Sequence, residues 1–272
     1  MLVDFIIAFA FLALIFLLLI NRNSKKAIVL FVASFLASEL VFVFHKFIYG
    51  LVMYSVFLAI LIIVLLFRDY REKARNILIA LMTLPIARLI GSVMPLQQFS
   101  FLTRVAIVYS IMFISAYIIF YGLGMTHQEI GHKKIKKPVI VAIMIALGAL
   151  LGLIESLIIK PEPIFQTFTL FSVFLGLSLL LSGYVEEFIF RGLLQNLFKK
   201  LFQNINITLL FTNIIFIIMH IVWKNFLELG FVFCAGWLLG WLYFKTKNLF
   251  LISMLHGFIN FFLFIVWPVL YR

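Results

Sequence analysis

A chain of 272 residues that is 65% apolar or aromatic and 12% charged, with 34 Phe and a mean hydropathy of +1.22, is not a soluble globular domain. Such a domain is typically about 45–50% apolar and could not keep that many Phe rings from water. The composition is that of a polytopic membrane protein, and its net charge of +12 has to be read from its placement before it is ascribed to a nucleic-acid partner.

Apolar stretches run over about 2–20, 27–45, 51–67, 76–95, 105–124, 138–158, 164–185, 206–223, 227–244 and 248–268. They are continuous and lack period-2 alternation, which argues for membrane helices over barrel strands. At about 20 residues per crossing they predict an all-α polytopic bundle of eight to ten helices with no sizeable soluble domain. The stretch at 2–20 has Asp4 near its start, no basic leader and no small-residue cleavage site, so it is expected to stay as the first transmembrane helix. Lys160-Pro161-Glu162-Pro163 marks a turn that divides an N-terminal bundle, 1–160, from a C-terminal core, 161–272. The single Cys234 excludes an intramolecular disulfide. Gly236 and Gly240 form a G-x-x-x-G pair, the signature of close helix packing.

The basic residues set the orientation. With the N-terminus outside, the inner loops hold Arg22, Lys25, Lys26, Arg68, Arg71, Lys73, Arg75, Lys133, Lys134, Lys136, Lys137, Lys199, Lys200, Lys245 and Lys247. The outer loops hold Lys46, Arg104, Lys160, Lys224 and Arg272, while Arg88 and Arg191 lie inside helices. This bias, fifteen against five of the 22 basic residues, is membrane topology and no nucleic-acid footprint. The Phe-, Ile- and Lys-rich composition suggests an AT-rich prokaryotic genome, so the membrane expected is the cell membrane.

Charges inside apolar helices are costly and mark pairing or functional sites. Glu39, Arg88 and Glu155 are isolated in sequence; Glu39 and Arg88 could pair across helices, and a structural role is expected for all three. The C-terminal core concentrates Glu186, Glu187, Arg191, His220, His256 and Asn260. Glu187 and Arg191 have the i,i+4 order that favours an ion pair, which would leave Glu186 free as a general base. From Glu187 to the basic turn near 201–205 is about 20 Å of helix, and from there back to His220 about 21 Å. His256 and Asn260 lie about 12–18 Å beyond the next basic turn, on one helix face. The set can therefore share one layer, expected on the cytoplasmic side.

Glu186-Glu187-Phe188-Ile189-Phe190-Arg191 resembles the E-E-x-x-x-R motif of the CAAX prenyl endopeptidase and bacteriocin-processing (CPBP, or Abi) family. Phe216–His220 resembles its F-x-x-x-H motif and His256–Asn260 its H-x-x-x-N motif, with Gly236 to Leu249 similar to the usual approach to the latter. The resemblance covers about residues 180–262. It implies an intramembrane endopeptidase of the glutamate type acting on a prenylated or membrane-associated peptide. Glu186 and His220 would activate water, His256 and Asn260 would hold the oxyanion, and Glu187 and Arg191 would orient the helix. No cofactor is expected. The alternative within the enzyme class is a zinc protease with Glu186, His220 and His256 as ligands, against which stands the lack of H-E-x-x-H. A catalytically silent membrane regulator and a transporter are the readings outside that class; no repeats or inverted halves favour the transporter. The motifs encode neither substrate identity nor oligomeric state.

Overall fold

The computed structural model describes residues 24–45, 47–67, 69–93, 98–135, 137–167 and 169–271. The helix expected at 2–20 lies outside the described residues. Those described form helices and no strand: α1 Ser24–Phe44, α2 Phe47–Phe67, α3 Glu72–Leu81, α4 Thr83–Val93, α5 Phe101–Gly122 and α6 Pro138–Ile159. There follow α7 Leu170–Gly176, α8 Ser178–Glu187, a π-helical segment Phe188–Gln195, α9 Asn196–Phe202, α10 Ile205–His220, α11 Phe226–Thr246 and α12 Leu249–Phe261. A second π segment, Phe262–Val266, leads into α13 Trp267–Leu270. Among the described residues nine segments are long and apolar enough to span a membrane. The chain is a multi-pass helical membrane protein.

The helices stop for local reasons. Pro85 has no N–H to return to Leu81, and the span from Glu72 breaks into α3 and α4 there. Three later turns repeat one device. Gln203, Lys224 and Lys247 take left-handed conformations that end the preceding helices. Each is followed by an Asn whose side chain accepts from the next helix: Asn204 from the Ile207 N–H at 3.1 Å, Asn225 from Leu227 at 2.9 Å, Asn248 from Leu251 at 3.2 Å. Two-residue turns of this kind force adjacent helices to run antiparallel.

The apolar stretch read at 164–185 is only the first half of a longer helix. Leu170–Phe202 runs for 33 residues, about 50 Å at 1.5 Å per residue, well beyond a bilayer core of about 30 Å. Its far end carries Lys199 and Lys200 past the bundle, where Lys200 Nζ meets Glu129 Oε1 at 2.9 Å. That bond holds the exposed Glu129 carboxyl below the usual carboxylate range. The same loop accepts from the Leu249 N–H through the Gly131 carbonyl at 2.8 Å. The turns at 203–204 and 247–248 and the loop 123–137 thus share one basic end of the bundle. At the opposite end Asn225 donates to the Ile158 carbonyl at 3.3 Å, joining the turns at 160 and 224.

Glycines bring the central helices together. A Cβ on Gly183 of α8 would run into the backbone of Gly257 of α12, and one on Gly257 into the backbone of Leu180. Gly148 and Gly152 let α6 approach α12 in the same way, against Phe258 and Ile259.

Candidate active site

Glu186 and Glu187 end α8, and the helix beyond them widens into π winding through Phe188–Gln195. Sequence reading expects an unbroken α-helix here; the altered winding re-aims side chains, as such segments do at many functional sites. Arg191 Nη2 donates to the Gly236 carbonyl at 2.8 Å, and Gln195 Nε2 to the Gly240 carbonyl at 2.9 Å. The G-x-x-x-G pair of α11 therefore packs closely and also supplies two acceptors, matched in spacing to the two donors.

Glu187 is fully buried, and its Oε1 meets Arg191 Nη1 at 2.9 Å and His256 Nδ1 at 2.7 Å. Arg191 lies over the Phe216 ring at 4.7 Å, and that ring is edge-on to His256 at 5.9 Å. The Phe of the F-x-x-x-H motif is thus the apolar floor of the ion pair. Glu186 accepts from the Tyr109 hydroxyl at 2.5 Å and stands 3.8 Å from His256 Nε2. His220 Nδ1 is 2.8 Å from the Phe216 carbonyl. A carbonyl only accepts, so Nδ1 carries the proton and the neutral ring has Nε2 as its acceptor. Asn260 Nδ2 donates to Ser182 Oγ at 3.1 Å, leaving its second N–H free of that bond.

Glu186, His220, His256 and Asn260 line one cavity of about 200 Å³, with Tyr109 and Ser182. A second cavity of about 320 Å³ shares Tyr109, Glu186 and His220 with the first and adds Arg88. The wall bearing Glu186 and His220 is therefore open on two sides.

The contacts of these helices fix how deep the site lies along them. Arg191 bonds Gly236, the middle residue of α11, and Glu187 lies about 6 Å further from the basic end. His220 closes α10 beside the Ile221–Trp223 turn, and Trp223 borders both cavities. Stacked rings of His132, Tyr184 and Phe250 tie the loop after α5 to α8 and α12, and burial pushes the His132 ring below its usual range. Trp223 in the lining extends both cavities toward the end opposite the basic turns.

The isolated charges of the N-terminal part are not isolated in space. Arg88 forms an ion pair with Glu39 at 2.7 Å, and Glu39 also accepts from Tyr54. Glu155 borders the smaller cavity, and a second acid, Glu228, is buried as well. Sequence reading passes over Glu228, which sits in the first turn of α11 behind the Asn225 cap and looks like an ordinary helix-start acid. Tyr109 and Ser182 carry no motif, and only the fold reveals them. Among the described residues no group of three or more His, Cys, Asp or Glu side chains is arranged to hold a metal ion.

Residues 167–262 match the model of the family described as type II CAAX prenyl endopeptidase Rce1-like. Over this segment the chain is similar to the CAAX-protease family. The segment is about a third of the chain, and all three motifs fall within it. No curated protein and no solved structure matches the chain. Of the polar side chains around the candidate site, Arg88, Tyr109 and Glu155 come from outside the matched segment.

Proposed function

We propose that the chain is an intramembrane CAAX-type endopeptidase that hydrolyses a peptide bond near the C-terminus of a prenylated or otherwise membrane-associated peptide. The supporting observation is that the side chains of all three motifs, from three helices, border one small cavity. Water held between Glu186 and the His220 Nε2 acceptor loses a proton to the carboxylate and attacks the carbonyl. Tyr109 steadies Glu186 through its 2.5 Å bond. The free N–H of Asn260 and the Nε2–H of a protonated His256 meet the developing oxyanion. Glu187 lies behind His256 as the counter-charge for that imidazolium, and Arg191 keeps Glu187 in place. Glu186 then returns its proton to the departing amine. This reading routes no step through a metal.

The orientation rule puts the basic end inside, so the scissile bond enters from the half of the membrane that faces outward. The test is cleavage of a farnesylated C-terminal peptide by the purified protein in detergent. Mass spectrometry should find a new C-terminus within the last few residues, at a rate unchanged by 1,10-phenanthroline. Stoichiometric zinc lost together with activity would overturn the glutamate mechanism.

A further inference from the structure

Arg88 of α4 borders the site, and the mechanism leaves its chemistry unused. Its Nε and Nη2 bond the two oxygens of Glu39 at 3.1 and 2.7 Å, and Nη2 also donates to the Met219 carbonyl at 2.6 Å. Among the described residues Nη1 has no hydrogen bond, and it is not one of the enclosed unpartnered atoms. Arg88 is 18% exposed and borders the 320 Å³ cavity on whose wall Glu186 and His220 stand. The rest of that cavity is mostly apolar, with Val108, Met112, Phe190 and Val222 among its lining.

A guanidinium pinned on one edge and open on the other is pre-organised for one further anion. In a largely apolar cavity, a carboxylate gains a charge-assisted bond that water no longer competes for. We propose that Arg88 binds the free C-terminal carboxylate of the peptide substrate, on the leaving-fragment side of Glu186. The inference rests on the protease reading. It makes the enzyme a reader of chain ends: the bond cut is the one that reaches Glu186 when the terminus is docked on Arg88.

The competing role for Arg88 is structural, since its bond to the Met219 carbonyl braces the backbone next to His220. Two farnesylated peptides of one sequence, ending in a free acid or in an amide, separate the two. A charge-assisted bond contributes about 1.5–3 kcal/mol, so wild-type protein should favour the acid by about 10- to 100-fold in kcat/KM, mostly through KM. In Arg88→Gln the acid-to-amide ratio should fall to near one, whatever happens to the absolute rates. Arg88→Lys keeps the cation and should keep part of the preference. If Arg88→Gln does not fold, the wild-type ratio and Arg88→Lys still decide. Equal cleavage of both peptides by wild type, or an unchanged ratio in Arg88→Gln, would overturn the inference and leave the protease reading standing. No cleavage of either peptide by wild type would overturn both.

Discussion

His256 and Glu187 meet at 2.7 Å across two helices, and the contact exists because two glycines let those helices touch. Gly183 and Gly257 lie one helical turn before Glu187 and one residue after His256, where any Cβ would strike the facing backbone. The glycines thus set the distance between the acid and its imidazole.

Gly183→Ala is expected to destabilise the protein by about 1–3 kcal/mol through overpacking. It should also lower cleavage at temperatures where the protein remains folded. Gly230→Ala is the matched control. A Cβ there meets nothing within 4 Å, and Ala in place of Gly in a helix should stabilise by about 0.5–1 kcal/mol. Melting in detergent with a cleavage assay checks both.

Glu187→Ala leaves Arg191 buried without its counter-ion. Breaking a buried pair in this way costs about 3–5 kcal/mol, so yield and melting temperature should fall together with activity. Replacing Arg191 by Met in the same protein removes the stranded charge and should recover part of the stability. It should not recover the activity, because His256 still lacks its carboxylate.

Topology follows from the charge bias and is checked by labelling single cysteines in a Cys234→Ala background. Cysteines at Lys134 and Lys200 should react only from the cytoplasm, and cysteines at Pro161 and Trp223 only from outside. Trp223 borders the candidate site, so its label also reports the side on which the cavities open. Reaction of Trp223→Cys from the cytoplasm would reverse the proposed entry side.

Much of this architecture is legible in the chain. Membrane spans announce themselves because burying apolar residues in lipid tolerates little else, and the turn at Asn204 or Asn248 is a capping rule. Glu186, Glu187, Arg191, His220, His256 and Asn260 stand out because each is expensive inside a membrane. The environment of those residues is harder to read. Tyr109 is one of nine Tyr in the chain, and nothing local distinguishes the one that reaches Glu186. The π winding after Glu187 has no compositional mark. Arg88 stands alone in the sequence because its partner, Glu39, lies on another helix, far away along the chain.

The central claim is that Glu186 is the base, and Glu186→Gln tests it most directly. The substitution keeps the size of the side chain and an acceptor for Tyr109 but removes the group that takes the proton. Cleavage of a farnesylated peptide should fall by about 10²–10⁴-fold, with yield and melting temperature unchanged from wild type. A Glu186→Gln protein that melts normally and still cleaves at near the wild-type rate would contradict the account.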